Sequence, residues 1–227
     1  MTLQPERVRD MFDRISPSYD RMNLLMSMGR DGRWRRLGVR ASGAQPGDAA
    51  LDVCCGTGDF AVELRRAVGP SGRVVGLDFS PQMLEVARRK CSAVEWQQGD
   101  ALALPFADGE FTAACVGFGV RNLSDYRRGF AEMARVVRPG GRVVVLEITT
   151  PQKPPLSTFF SLWFDRIVPL LGKLAAEPEA YTYLPSSVKR FPGPQALGAE
   201  LVAAGLTDVR WILTAGGIIA LHSGTRA

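Results

Sequence analysis

Leu51-Asp52-Val53-Cys54-Cys55-Gly56-Thr57-Gly58-Asp59-Phe60 is the stretch on which the rest of the chain is read. The apolar run Ala49 to Cys54 predicts a buried strand. Two glycines follow, and then a helical pattern at Phe60, Ala61, Leu64, Ala67 and Val68. Gly56 and Gly58 let the backbone turn sharply and approach a ligand, and the helix start offers unpaired N–H groups. A second apolar run, Val74-Val75-Gly76-Leu77, ends at Asp78, twenty residues past Gly58. An acid at that place can accept both hydroxyls of a ribose. A glycine turn alone is often only a strand–helix connection, but with Asp78 it points to an adenosine-containing cofactor.

Gly56-Thr57-Gly58-Asp59-Phe60-Ala61 also fits the loose dinucleotide fingerprint, so a nicotinamide oxidoreductase competes. Three features oppose it. Asp52 ends the strand with a carboxylate, which suits a sulfonium cofactor bearing an ammonium group better than a pyrophosphate. The first strand lies about fifty residues in, behind a helical region. A third strand, Val94 to Gln98, runs into Gly99-Asp100-Ala101, a polar stop where a base edge could be read. These residues resemble the class I S-adenosylmethionine-dependent methyltransferases. Leu51–Gly58 looks like their first motif, Asp78 like their ribose acid and Asp100 like their adenine contact.

At 227 residues the chain can bury one substantial core. It holds no uncharged apolar run of eighteen residues, and Met1 to Arg14 is charged throughout, which argues against a membrane span and a signal peptide. A cytoplasmic location is the expectation. Cys54, Cys55, Cys91 and Cys115 lack Cys-x-x-Cys spacing and neighbouring histidines, which argues for reduced, buried thiols and against zinc. The net charge of +5 is carried mostly by arginines. Runs such as Arg33-Trp34-Arg35-Arg36 read as solvated helix faces without a nucleic-acid recognition motif.

Taken in order, Val8, Met11, Phe12 and Ile15 make one apolar helix face, which Ser16-Pro17-Ser18 ends. Tyr19 to Ser27, followed by Trp34, reads either as a second amphipathic helix packed on the domain or as a lid over an apolar ring bearing hydroxyls. From Ala49 strands and helices alternate: strands at 49–54, 73–78, 94–98, 111–116 and 142–148, with helices at 58–68, from Pro81 to about Lys90, and after Ser124 or Asp125. This order predicts a parallel sheet with helices on both faces and ligands beyond the C-terminal strand ends, where Asp52, Asp78, Asp100, Gly117 to Asn122 and Glu147 fall. Residues 151–192 break the alternation with an aromatic, apolar stripe from Leu156 to Leu174, through Phe159, Phe160, Trp163, Phe164, Ile167, Val168 and Leu171. Pro169 should kink or end its first helix. The stripe reads as core packing, as a cap over an apolar ligand, or as a membrane-resting face. A helix over 195–204 and two strands, 207–213 and about 217–222, joined across Ala215-Gly216-Gly217, complete the sheet.

Two long stretches resemble one family, the menaquinone/ubiquinone biosynthesis C-methyltransferases. Tyr19-Asp20-Arg21-Met22-Asn23-Leu24-Leu25-Met26-Ser27 with Trp34 is similar to their N-terminal signature, and Arg135 to Glu147 is similar to their second. Gly117-Phe118-Gly119-Val120-Arg121-Asn122, Tyr181 to Pro185, Arg190-Phe191-Pro192, and Gly216-Gly217 to His222 resemble further family blocks. Asp31 stands where that signature usually has histidine, and Cys54-Cys55 looks more like the menaquinone-only members. The resemblance implies an α/β fold, Rossmann-like, with a mostly parallel seven-stranded sheet, N-terminal helices and a helical insertion before the last two strands. It makes 1–227 one methyltransferase domain: a helical lid over 1–40, a cofactor-binding core over 41–150, the insertion over 151–192, and a C-terminal helix and strands over 193–227. It implies S-adenosyl-L-methionine as cofactor, held by Thr57, Asp78, Asp100, Ala101 and Gly117, with Gly56, Gly58 and Phe79 beside them; Met83 could flank the adenine with Phe79. It implies a lipid quinol substrate, demethylmenaquinol methylated to menaquinol, with peripheral membrane contact and no nucleic-acid partner. A homo-oligomer is compatible with it.

Physical chemistry assigns roles within that expectation. A neutral ring carbon is a poor nucleophile; loss of the adjacent hydroxyl proton places negative charge on it. Arg121 is a fixed cation that lowers a nearby phenol's pKa, and Asn122 can orient the same oxygen. Arg121 could instead pair with Asp125, four residues on. Tyr19 either bonds the other quinol oxygen or packs the lid. Water, Tyr19, Glu147 and His222 are all candidate bases, His222 more readily as a structural residue. A methyltransferase for the ubiquinone-pathway benzoquinol or another apolar acceptor, and a non-catalytic cofactor-binding membrane adaptor, are the competing readings.

Overall fold

The computed structural model describes residues 4–151, 154–162, 166 and 178–227. Three helices open the chain: α1 (Pro5–Ile15), α2 (Tyr19–Ser27) and α3 (Asp31–Ser42). Alternation follows with β1 (Ala49–Val53), α4 (Asp59–Val68), β2 (Arg73–Asp78), α5 (Pro81–Lys90), β3 (Glu95–Gln98), β4 (Phe111–Gly117), α6 (Tyr126–Val136) and β5 (Val137–Ile148). Then come α7 (Leu156–Leu162), α8 (Pro178–Arg190), α9 (Pro194–Ala203), β6 (Leu206–Thr214) and β7 (Ile219–Arg226). Trp163, Phe164, Ile167, Val168, Pro169, Leu171 and Leu174 lie outside the described residues.

The strands form one seven-stranded sheet in the order β3-β2-β1-β4-β5-β7-β6. β1 to β5 pair in parallel, and β7 runs antiparallel between β5 and β6. Alternate residues of each strand serve opposite faces, as the two-residue period of a pleat requires. Leu51, Val53, Val75 and Leu77 join Phe130, Met133 and Leu201 in one core cluster. Ala50 and Val74 join Phe60, Leu64 and Val68 in the other, against which Trp34 and Leu37 of α3 pack.

Several boundaries differ from the sequence reading for identifiable reasons. β5 starts at Val137 rather than Arg142. Its pairing with β4 jumps from Phe111↔Val137 to Ala113↔Arg142, so Pro139-Gly140-Gly141 is an excursion within the strand and not a turn before it. β7 continues to Arg226 because β5 and β6 flank it on both sides; its polar residues His222, Ser223 and Thr225 conceal a central strand in the sequence. β3 starts one residue late, at Glu95, and β6 reaches one residue further at each end. The N-terminal region holds three helices, since Met28 and Gly29 adopt left-handed backbone angles between α2 and α3.

Ser80 caps α5, accepting from Met83 N–H with Pro81 at the first position, and Asp125 caps α6, accepting from Arg128 N–H. The side chains of Val8 and Met11 bury α1 against Tyr183 of α8. α2 buries none of its residues.

Candidate active site

The C-terminal ends of β1 to β4 open into a cavity of about 410 Å³. That volume suits a small organic ligand. Gly56, Asp78, Phe79, Asp100, Ala101 and Gly117 all line it, brought together from four strand ends. Asp78 is sealed from solvent. Its Oδ2 accepts from Gly56 N–H at 2.7 Å and its Oδ1 from Ser80 N–H at 2.9 Å. A carboxylate has four acceptor sites, so capacity remains for a hydroxyl. Burial raises its pKa to about 6, although the Ser80 and Gly56 N–H groups pull it down. Asp100 stands exposed at the rim, holding Leu102 N–H at 2.9 Å. Gly117 has no room for a Cβ, which would come within 2.9 Å of the Phe60 ring.

Thr57 and Gly58 depart from their expected place. Neither lines this cavity. The Thr57 hydroxyl donates to Asp20 Oδ1 at 2.6 Å, so it ties α2 to the glycine loop. Gly58 has φ +85° and packs under the Trp96 ring, a site for glycine on both counts. Asp52 also differs. It lines neither cavity, is 1% exposed, and accepts from Ala61 N–H at 2.8 Å. It caps α4 from the strand end, where the N-cap residue Gly58 has no side chain to do so. Full burial lifts its pKa to about 8. A protonated Asp52 contributes no negative charge to a ligand.

α1 and α2 roof the cavity. Pro5, Glu6, Arg9, Phe12 and Tyr19 line it from above the strand ends. Two carboxylates latch this roof. Asp13 accepts from the Ser80 hydroxyl at 2.5 Å. Asp20 holds Thr57 and pairs with Lys90 at 2.6 Å. Phe12 meets Tyr19 and Phe79 edge-on at 6.2 and 6.4 Å.

A second cavity of about 260 Å³ adjoins the first. Met11, Ile15, Met22, Met26, Trp34, Ile148, Phe160, Tyr183 and Leu184 make its walls chiefly apolar. Phe12, Tyr19 and Phe118 line both cavities and form their common wall. Phe118 holds φ +62° with its N–H bonded to Leu146 O at 2.8 Å. A bulky residue in that conformation is strained, and it sits at the junction.

Arg121 reaches the second cavity and Asn122 the first. Consecutive residues of the 3₁₀ turn Val120–Asn122 point a third of a turn apart, so the two side chains do not share one oxygen as the sequence reading had it. Arg121 does not pair with Asp125 either. Its Nη1 donates to Glu147 Oε1 at 2.7 Å and to Phe118 O at 2.5 Å, while Nε is buried with no partner. Glu147 Oε1 also accepts from Ile148 N–H at 2.8 Å. His222 lines neither cavity. Its Nε2 lies 2.8 Å from Pro194 O, its ring stacks on Trp211, and burial lowers its pKa.

The model of the ubiE/COQ5 methyltransferase family matches residues 1–226. The chain belongs to that family. A demethylmenaquinone methyltransferase of Desulfitobacterium hafniense is 43% identical over 226 residues, covering 96% of this chain and 89% of that one. One from Thermus thermophilus is 45% identical over 221 residues, covering 95% and 100%. A solved SAM-dependent methyltransferase of Thermotoga maritima superimposes with a TM-score of 0.66 at 20% identity, covering 96% of this chain and 99% of that one; it shares the fold.

As a ubiE/COQ5 methyltransferase the protein uses S-adenosyl-L-methionine, and the first cavity fits it. Of the residues read as cofactor contacts, Asp78 keeps acceptor capacity suited to hydroxyls, Asp100 and Ala101 line the cavity at the polar stop after β3, and Gly117 lines it too, with the Phe60 ring where a side chain would stand. Sequence reasoning gave this methyltransferase no latch at Asp13 or Asp20, no Arg121–Glu147 pair, and no role for Phe118 or Tyr183. Their partners lie 67, 37 and 26 residues away, beyond any local pattern. Burial raises the pKa of Cys54, Cys55 and Cys115 well above the usual thiol value, and all four cysteines are free thiols.

Proposed function

We infer that this methyltransferase transfers a methyl group to the ring carbon of demethylmenaquinol, giving menaquinol, at the inner face of the membrane. The names of its relatives support that substrate. The observation that carries the reading is the meeting of two cavities at Phe12, Tyr19 and Phe118: one at the strand ends with Asp78 and Asp100 in its lining, and one more apolar with Arg121 in its wall.

S-adenosyl-L-methionine supplies, when bound, a methyl group on a positively charged sulfur. The chain's own part is to make the ring carbon nucleophilic and to keep water from the methyl. Arg121, whose side chain is 8% exposed, holds a fixed positive charge beside the apolar cavity. That charge stabilises the phenolate formed when the quinol hydroxyl loses its proton to water. Charge would then spread to the ring carbon, the atom that would take the methyl group, and water would accept the ring proton that the restored aromatic ring gives up. Glu147 fixes the guanidinium in place, and its pairing with Arg121 removes it from the candidate bases. Met11, Ile15, Met22 and Met26 hold the ring and tail by soft apolar contact and exclude water. Tyr19, at the common wall, can donate to the second quinol oxygen.

The test is product analysis with methyl-labelled cofactor and chemically reduced demethylmenaquinone in detergent. Label on the ring carbon supports the reading. Absence of transfer, with cofactor binding confirmed by calorimetry, overturns the substrate and leaves the fold and cofactor site standing.

A further inference from the structure

α2 has two apolar faces. Tyr19, Met22, Asn23 and Met26, at the i, i+3, i+4, i+7 spacing of a helix, line the second cavity. Arg21, Leu24, Leu25 and Met28, at the same spacing, form the opposite face, with Leu24 59%, Leu25 59% and Met28 79% exposed. A short helix apolar on both sides and burying nothing is poorly suited to water alone. Met28 and Phe159 line the second cavity and are also exposed, so the outer face of α2 continues into the rim of that cavity. Charge is concentrated in the same place. Residues 19–40 hold six arginines and two aspartates, +4 of the chain's net +5. Asp20 and Asp31 are engaged by Lys90 and Arg35, while Arg21, Arg30 and Arg33 are exposed and carry no ion pair among the described residues.

Resting on the lipid-quinol reading above, we propose that α2 is the element by which the protein seats on an anionic bilayer surface. Leu24, Leu25 and Met28 enter the boundary between headgroups and acyl chains, and Arg21, Arg30 and Arg33 meet the negative headgroups. The apolar cavity then opens at the bilayer, and a prenyl tail stays in lipid while its ring head enters between α2 and α7. The occupant is a lipid surface because the exposed apolar side chains share their face with Arg21 and are followed directly in the chain by the exposed Arg30 and Arg33; a self-pairing patch would set like charges against each other.

The experiment is co-sedimentation of the full chain with vesicles of phosphatidylcholine alone or with phosphatidylglycerol, comparing the parent, Leu24→Glu/Leu25→Glu and Arg30→Ser/Arg33→Ser. Leu24, Leu25, Arg30 and Arg33 do not themselves line the second cavity, Arg21 and Met28 are left unchanged, and cofactor affinity checks that each variant folds. The parent should bind anionic vesicles and release them at high salt, and each double variant should bind about tenfold more weakly or less. On quinol delivered in vesicles, Leu24→Glu/Leu25→Glu should lose kcat/KM about tenfold, with little change on a quinol whose tail is cut short enough to dissolve. Equal sedimentation of parent and variants, or none by the parent, overturns the proposal. So does loss of a parent dimer in the leucine variant with vesicle binding unchanged, which assigns the face to a second copy. Vesicle binding without methylation of either quinol overturns the substrate reading and supports the docking face.

Discussion

Arg121 Nη1 and Glu147 Oε1 lie 2.7 Å apart, with the two side chains 8% and 1% exposed, one from the turn after β4 and one from the last residues of β5. Parallel pairing of Gly117 with Leu146 brings them together. Removing one partner of such a pair leaves a buried charge uncompensated. Arg121→Gln alone should cost about 3 kcal/mol in urea unfolding, and adding Glu147→Gln should recover most of it. Additive losses in the double variant would mean the two residues stabilise the fold independently.

The ribose contact proposed for Asp78 would make cofactor binding depend on pH. Its carboxylate accepts hydroxyls best when ionised, and burial raises its pKa to about 6. Affinity for S-adenosylmethionine, measured by calorimetry, should therefore fall as pH drops through about 6. Asp78→Asn should bind about 10- to 100-fold more weakly at pH 7.5 and lose that dependence.

Asp52 makes the protein's stability depend on pH in the opposite sense from a salt-bridged acid. Its pKa is raised from 3.8 unfolded to about 8 folded. The native state thus binds the proton more tightly, and stability, complete below the unfolded value, is lost as pH rises through about 8. Asp52→Asn keeps an acceptor for Ala61 N–H without the charge. Its melting temperature should exceed the parent's at pH 8.5 by several degrees and approach it at pH 5. Parallel melting curves across that range would show that Asp52 does not titrate there.

The roof over the first cavity is held by Asp13 on Ser80 and by Asp20 on Thr57 and Lys90. Asp13→Ala/Asp20→Ala should speed cofactor dissociation several-fold in stopped flow and raise hydrogen exchange in α1 and α2, while β1 and β2 stay protected. Unchanged dissociation would mean that the roof is held by the packing of Val8 and Met11 on Tyr183 alone.

What was legible in the sequence was local. The run into Gly56-Thr57-Gly58 and the run ending at Asp78 expose strand, turn and ligand-facing end within a few residues of each other. The parallel order of β1 to β5 and the caps at Ser80 and Asp125 follow from such patterns. Illegible features depend on which strands become neighbours. Asp52 looks like a ligand-facing acid until the chain is folded, when the sheet seals it beneath the turn and α4 takes its carboxylate. Thr57 looks like a cofactor contact until α2 arrives with Asp20. His222 sits on a strand that reads as edge-like and polar, yet β5 and β6 enclose it. Arg121 and Asn122 look like partners in sequence, and the 3₁₀ turn sends them to different cavities.

The central claim is that Arg121 stabilises a quinol phenolate in the apolar cavity. The pH–rate profile of methyl transfer to demethylmenaquinol, compared between the parent and Arg121→Gln/Glu147→Gln, tests it most directly, since the double variant leaves no buried charge unpaired. The rising limb reports the ionisation that makes the ring nucleophilic. Loss of Arg121 should move that limb upward by about one pH unit or more and lower the rate at pH 7 about 100-fold. A folded, cofactor-binding double variant with the parent's limb and rate would contradict the claim.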